Sequence, residues 1–452
     1  MNIQAKIHVR FLPLLLVVLL ALPAHALPRF TLAAGSRCSN CHVNPQGGGL
    51  RSSSGWYMMN TTSAGMVGWD KLGLPGLHKV QSNTFFDDRL TLGGDFRLQA
   101  ARQGIPTVQD DGSSKLPPWT WIPMQLNPGA EFKFTKTVQV VASINAMGFY
   151  FPDDVYPGRS NYDAWIRWTP QRDAPDPVEA PPPANDATPS GDDDFDAPLE
   201  APAAKSSPQI GLPSLRVGVL QPSFGIRHDD HTLWIRGNAF NRKTPIMPPN
   251  YNDLGAELTW EGVHWLSVDV GGFWPRNFSA ARFGEVPSTT VDSATGVSPA
   301  QQKEAALKKP MGSARVTFWP RIDSVGVNFW AGASALYTPN FFMQGGHFGV
   351  GKTYWGSLIA EVTHSRDDVL QQARYAWLLQ ADYPIVEWLT AEARYEQAHA
   401  TPDAGATQDL QAVVVGLQWL PVPMLELRPE YRYLDTNSFR FAQYSLQIHV
   451  FY

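Results

Sequence analysis

From Gln372 the chain alternates without interruption: Ala373, Tyr375, Trp377, Leu379, Ala381 and Tyr383 fall on one side, Gln372, Arg374, Ala376, Leu378, Gln380 and Asp382 on the other. The same period of two recurs from Leu389, where Leu389, Ala391, Ala393 and Tyr395 oppose Thr390, Glu392, Arg394 and Glu396. It recurs again from Leu425, where Leu427, Pro429, Tyr431 and Tyr433 oppose Glu426, Arg428, Glu430 and Arg432. Successive strand side chains point to opposite faces of a sheet, so this pattern specifies a sheet with one apolar face and one mostly polar face. The charges on the polar face alternate in sign, which lets neighbouring strands balance one another around a wet interior.

Period-two strands also build soluble sandwiches, so the strand ends carry the discrimination. Aromatic residues sit beside proline where strands stop: Trp168 and Pro170, Trp274 and Pro275, Trp319 and Pro320, Tyr383 and Pro384, Trp419 and Pro421. Aromatics at such positions suit a membrane interface, and proline ends a hydrogen-bonded ladder. The last strand carries Tyr444, Leu446, Ile448 and Val450 on one face up to the final Tyr452, which resembles the C-terminal insertion signature of bacterial outer-membrane barrels. The chain is rich in Trp (16), Phe (23) and Gly (37) but only 17% charged, a composition suited to aromatic girdles and tight turns. The expected fold is all-β: a transmembrane antiparallel barrel of about 14–16 strands with a small N-terminal c-type haem module. Full closure is what lets strands cross lipid. A net charge of -5 argues against a nucleic-acid partner.

Residues 1–26 read as a cleavable signal peptide: Lys6, His8 and Arg10, an apolar run from Phe11 to Leu22, and the small-residue boundary Ala24, His25, Ala26. Residues 27–88 form a Gly- and Ser-rich module, and residues 89–452 the barrel. The barrel is interrupted at 170–208 by a Pro-, Ala- and acid-rich insert, including Asp192, Asp193, Asp194 and Asp196, that cannot bury enough apolar surface to fold.

The chain's two cysteines lie in the N-terminal module as Cys38, Ser39, Asn40, Cys41, His42. A CxxCH run can fasten a haem through two thioethers, with His42 as proximal iron ligand; an oxidised loop is the alternative. Met58 or Met59 is the leading distal ligand, followed by His78 and then Met66; these methionines equally suit packing roles. Arg37 and Arg51 could pair with haem propionates, and Gly47, Gly48 and Gly49 allow a tight turn. His228, Asp229, Asp230 and His231 have donors for a divalent metal and also the composition of a solvated turn. His449 is read as structural. No hydrolase or transferase site emerges from spacing.

An export signal, CSNCH near the mature N-terminus and a barrel ending in Tyr452 together resemble the fused monohaem cytochrome-porins of the bacterial outer membrane. That resemblance implies one covalent haem c and electron transfer across the outer membrane. The implied partners are membrane lipid, a periplasmic cytochrome or other carrier, and an extracellular redox partner or metal, with ferrous iron oxidation among the family's activities. The rival expectation is a passive porin or solute channel whose CxxC or haem module is structural.

Overall fold

The computed structural model describes residues 31–32, 37–57, 82–104, 107–108, 114–146, 162–170, 211–226, 251–263, 265–278, 309–322, 326–352, 355–368, 371–402, 407–437 and 440–451. Sixteen long strands among these residues form the wall. They are β1 (Leu90–Gln103), β2 (Thr120–Lys133), β3 (Val138–Ile144), β4 (Tyr162–Trp168), β5 (Ser214–Leu220), β6 (Asp253–Val263), β7 (Leu266–Trp274) and β8 (Met311–Phe318). They continue as β9 (Val327–Thr338), β10 (Phe341–Lys352), β11 (Gly356–Asp367), β12 (Gln372–Val386), β13 (Leu389–Pro402), β14 (Gln408–Val422), β15 (Leu425–Thr436) and β16 (Arg440–Phe451). Each pairs antiparallel with its sequence neighbours, and β16 pairs back onto β1 from Asp95↔Phe451 to Gln103↔Gln443. The sheet is therefore a closed barrel, the only strand arrangement that leaves no unpaired edge in lipid.

The alternation read from the sequence sets the two faces. On β12, Tyr375, Trp377 and Leu379 are exposed while Arg374, Ala376, Leu378, Gln380 and Asp382 are buried inward. The exterior carries an apolar band that includes Val270, Val316, Val362, Val413, Val415 and Leu417. Exposed aromatics flank it: Phe134, Trp168, Trp265, Phe318 and Trp355 at the end shared with Leu90 and Phe451, and Trp121, Tyr162, Trp274, Tyr337 and Tyr375 at the other. An apolar band between two aromatic girdles on a closed antiparallel barrel places the chain in the bacterial outer membrane. Among the described residues no helix is long and apolar enough to cross a membrane, and the crossing is made by strands.

Inside, β13 and β15 carry an ion-pair ladder. Arg394 Nε contacts Glu396 Oε1 at 2.9 Å, and Arg428 reaches both Glu430 (2.7 Å) and Glu392 (2.8 Å). Glu392 and Glu430 lie on strands separated by β14, each opposite Gly416. Glycine there is required by close approach, since a Cβ at Gly416 would stand 2.8 Å from Glu430 Cγ and from the Pro429 carbonyl oxygen. The missing side chain leaves the gap across which Arg428 bridges.

One expectation changes in detail. Pro170, Pro275 and Pro320 follow strand ends as read, but β12 runs on through Pro384 and β14 through Pro421, with register shifts between Pro384 and Val386 and between Trp419 and Val422. A local irregularity absorbs a residue that cannot donate to the ladder. β10 and β11 form a hairpin whose second strand starts at Gly356 with φ +99°. The terminal Tyr452 lies outside the described residues.

Replacing Val415, midway along β14 on the lipid face, with Arg should cost about 2–4 kcal/mol of folding free energy. Arg428→Ala, which strips Glu392 and Glu430 of their shared cation, should cost about 3 kcal/mol. Denaturant titration of vesicle-folded protein, read by the heat-sensitive gel mobility of the intact barrel, checks both.

Candidate functional site: the lumen and its N-terminal segment

Residues 37–57 lie within the barrel rather than beside it. Cys38–Cys41 make a single helical turn, α1, closed by the His42 amide donating to the Cys38 carbonyl at 2.9 Å. The chain then doubles back: His42 bridges Arg51, and the Val43 amide donates to the Leu50 carbonyl at 3.0 Å. The reversal passes through Gly47, Gly48 and Gly49 at φ +89°, +70° and +61°, a left-handed run that side-chain-bearing residues resist. A second helix, α2 (Ser53–Tyr57), crosses α1 at Gly55, where an added Cβ would fall 2.0 Å from the Cys41 carbonyl oxygen.

The wall grips this segment through polar contacts. Arg37 donates to the Val263 carbonyl and lies 3.5 Å from Glu261, to which Ser39 Oγ also donates at 3.4 Å. Arg216 Nη1 donates to Asn44 Oδ1 at 2.8 Å, and Arg216 pairs with Glu257. Gln46 donates to Ser223 and, at 3.1 Å, to Glu257. The Arg51 guanidinium lies 4.2 Å from the Phe451 ring centroid, and Asn83 Nδ2 donates to the Arg51 carbonyl at 3.0 Å and the Leu92 carbonyl at 3.1 Å. Val43 and Leu50 complete the seat by packing with Val141, Trp165 and Leu220. The contacts to Val263, Leu266 and Phe451 set α1 toward the end of the barrel that carries both wall termini.

No protein-family model matches the sequence, and no curated protein matches it. Solved structures do match. The outer-membrane channel DcaP of Acinetobacter baumannii is similar over 80% of this chain and 97% of its own, at 9% identity and TM-score 0.46. OprB of Pseudomonas putida, in its high-pH structure, is similar over 86% and 98%, at 12% identity and TM-score 0.45. OmpT of Vibrio cholerae is similar over 80% and 97%, at 9% identity and TM-score 0.43. At these values no property of those proteins transfers to this one.

The expected monohaem module is corrected by the lumen geometry. Together with it fall the haem c, the likeness to cytochrome-porins, and the electron-transfer and iron-oxidase activities drawn from them. Among the described residues, no group of three or more His, Cys, Asp and Glu stands together so as to hold a metal ion. CSNCH makes the 4-residue helix α1 and its C-cap His42 in a segment that, with the 5-residue α2, leans on the barrel wall and has no core of its own among the described residues. The groups expected to serve a porphyrin serve that wall: Arg37 goes to Glu261 and Arg51 to Phe451, and Gly47 turns beside Cys38, where a Cβ would stand 3.3 Å from Cys38 Cβ. Met58, Met59, Met66 and His78 lie outside the described residues, as do His228, Asp229, Asp230 and His231. The redox carriers expected as partners lose their basis with the haem, whereas outer-membrane lipid stands.

His449 is structural, as read: its two ring nitrogens lie 3.0 Å from Asp95 and 2.9 Å from Glu426, tying β16 to both of its neighbours. Nothing in the local pattern around Asn44 and Gln46 marks their partners. Their wall contacts, Arg216 and Glu257, are more than 170 positions away and lie on facing positions of β5 and β6.

Cys38 and Cys41 are half-buried thiols not joined in a disulfide. Burial pushes Cys38 up to about 11 from 9.0, with Arg315 partly opposing the shift, and burial likewise raises Cys41. Because the thiolate is the nucleophile, a rise of two units should slow maleimide or iodoacetamide capture of Cys38 at pH 8 by about 100-fold relative to the denatured chain. The rate should climb as pH rises through 9 and on toward 11. Mass-spectrometric alkylation kinetics on folded C41S protein check this.

Proposed function

We propose that this protein is a passive solute channel of the outer membrane, its pore narrowed by the N-terminal segment. The observation that carries the reading is the grip of the wall on residues 37–57, through Arg37, Asn44, Gln46 and Arg51, inside a closed barrel whose inner face bears both signs of charge. Interspersed carboxylates and guanidinia keep a lumen hydrated, and the segment lowers its cross-section without sealing the neighbouring cleft.

Orientation follows from loop length. At the end holding Leu90 and Phe451 most connections are short, such as 134–137, 264–265, 387–388 and 423–424; at the other they include 104–119, 221–252 and 275–310. Short turns mark the periplasmic rim and long loops the cell exterior, so α1 lies toward the periplasmic side while Val43, Gln46 and Leu50 reach up the wall to Leu220 and Ser223. Residues 1–26 act as the export signal and are removed.

Purified protein in planar lipid bilayers bathed in molar potassium chloride should give stepwise ion currents. Deleting residues 37–57 should raise the step size severalfold, and the double variant R37A/Q46A, which keeps the segment but removes two of its anchors, should give noisier, larger steps. Silent bilayers with all three proteins, each verified as folded by heat-sensitive mobility, would refute a channel.

A further inference from the structure

On the inner face of β2–β5 the register sets four polar residues side by side: Lys133↔Gln139, Gln139↔Arg167 and Arg167↔Arg216. Arg167 shares its face of β4 with the buried Trp165, whereas Ile166 and Trp168 are exposed on the other face. Trp168 ends β4 in the aromatic girdle of the periplasmic rim, so the row lines the periplasmic mouth of the lumen. Arg167 and Arg216 are directly opposed, and like charges in that relation repel.

The carboxylates around this row are already taken. Arg216 pairs with Glu257 and donates to Asn44 Oδ1 at 2.8 Å. The carboxylates whose charge reaches Arg167 are Glu131 and Glu261. Glu131 accepts from Thr91 Oγ1 at 3.0 Å and lies 4.0 Å from Lys133. Glu261 accepts from Ser39 Oγ at 3.4 Å and lies 3.5 Å from Arg37. Glu131, Glu257 and Glu261 thus each have a cation of their own, and Arg167 is left over: among the described residues it makes neither a hydrogen bond nor an ion pair. Its Nε is enclosed by the wall, but the terminal Nη1 and Nη2 are not, and they open to the lumen. The Gln139 carboxamide opposite it is likewise part-exposed and without a hydrogen-bond partner. Asp163, the other acid on this face of β4, stands four residues away, roughly 13 Å along the strand, and is engaged by Ser143 Oγ and Trp165 Nε1.

We infer that Arg167, with the Gln139 carboxamide beside it, is a binding site for small solutes that carry a carboxylate. The two open ends of the guanidinium match the two oxygens of a carboxylate, and the amide of Gln139 supplies a further donor. Directly opposed side chains on neighbouring strands start about 5 Å apart, so one anion meets both. The bound anion supplies the negative charge that the row lacks and offsets the repulsion between Arg167 and Arg216. Glu261, whose charge reaches Arg167, also anchors α1 through Arg37 and Ser39, which sets the site near the segment that narrows the pore. The inference deepens the channel reading by naming a solute class; it rests on that reading for the route across the membrane, not for the binding itself.

Gluconate serves as the charged probe and sorbitol, which has a hydroxymethyl group in place of the carboxylate, as the neutral one. In planar bilayers at about 0.1 M potassium chloride, where charges are screened over roughly 10 Å, gluconate should interrupt the wild-type current in a concentration-dependent way. Sorbitol should do so far more weakly. R167Q removes the open charge together with the repulsion against Arg216, so it should keep heat-sensitive mobility while its half-blocking gluconate concentration rises about tenfold or more. R167K, which keeps the charge without the planar fork, should fall between the two. Saturation-transfer NMR of gluconate with detergent-solubilised wild type and R167Q reads the same site without any current. Currents that gluconate leaves untouched, or blocks equally in R167Q, overturn the site and leave the channel standing. Silent bilayers combined with saturation transfer lost in R167Q overturn the channel and leave the site standing. Equal block by sorbitol overturns the requirement for a carboxylate.

Discussion

Backbone amides and carbonyls in hydrocarbon find no water, so each must be paired within the protein; the register of β16 on β1 meets that demand for the whole ring. The seam runs from Asp95↔Phe451 through Leu98↔Ile448 to Gln103↔Gln443. His449 fastens it from inside, bonded to Asp95 on β1 and Glu426 on β15. Once the ring is closed, outward residues must be apolar and inward ones must manage polarity in a confined space. The lipid band, the ladder of β13 and β15 and the seat of the N-terminal segment all follow from that division.

The interior meets the constraint in two ways. Where strands face each other across small residues, charges pair along the wall, as Arg428 does over Gly416 between Glu392 and Glu430. Where the N-terminal segment enters, its own side chains take over wall partners, as Asn44 and Gln46 do with Arg216 and Glu257. Asn145 belongs to neither regime: inward and buried, its amide has no hydrogen-bond partner among the described residues.

The barrel was legible because period two is a local property. The faces of β12, β13 and β15 follow from alternation of a few consecutive residues, and their burial matches it. Strand ends were less legible. Pro384 and Pro421 read as stops because proline breaks a ladder, but the register shifts that carry the strands past them depend on neighbouring strands the local pattern does not contain. The haem expectation failed for a related reason. Five residues specify a possible chemistry, whereas the role of Cys38 and His42 is set by contacts of the surrounding segment with β5–β7 and β16, strands whose order in space only the closed sheet defines. Distances of more than 170 positions in sequence leave no local trace.

The narrowing segment is joined to the wall by its own chain, with Asn83 holding both the Arg51 carbonyl and the Leu92 carbonyl near that junction. Fewer than 35 residues separate α2 from β1. The segment and the wall that seats it therefore meet as parts of one chain, and their contacts do not bear the loss of translational and rotational freedom that docking a separate molecule costs. Individually weak bonds to Glu261 and Glu257 then suffice to keep the segment seated. The segment is thus a lining the barrel carries with it, present at one copy per wall whatever surrounds the membrane.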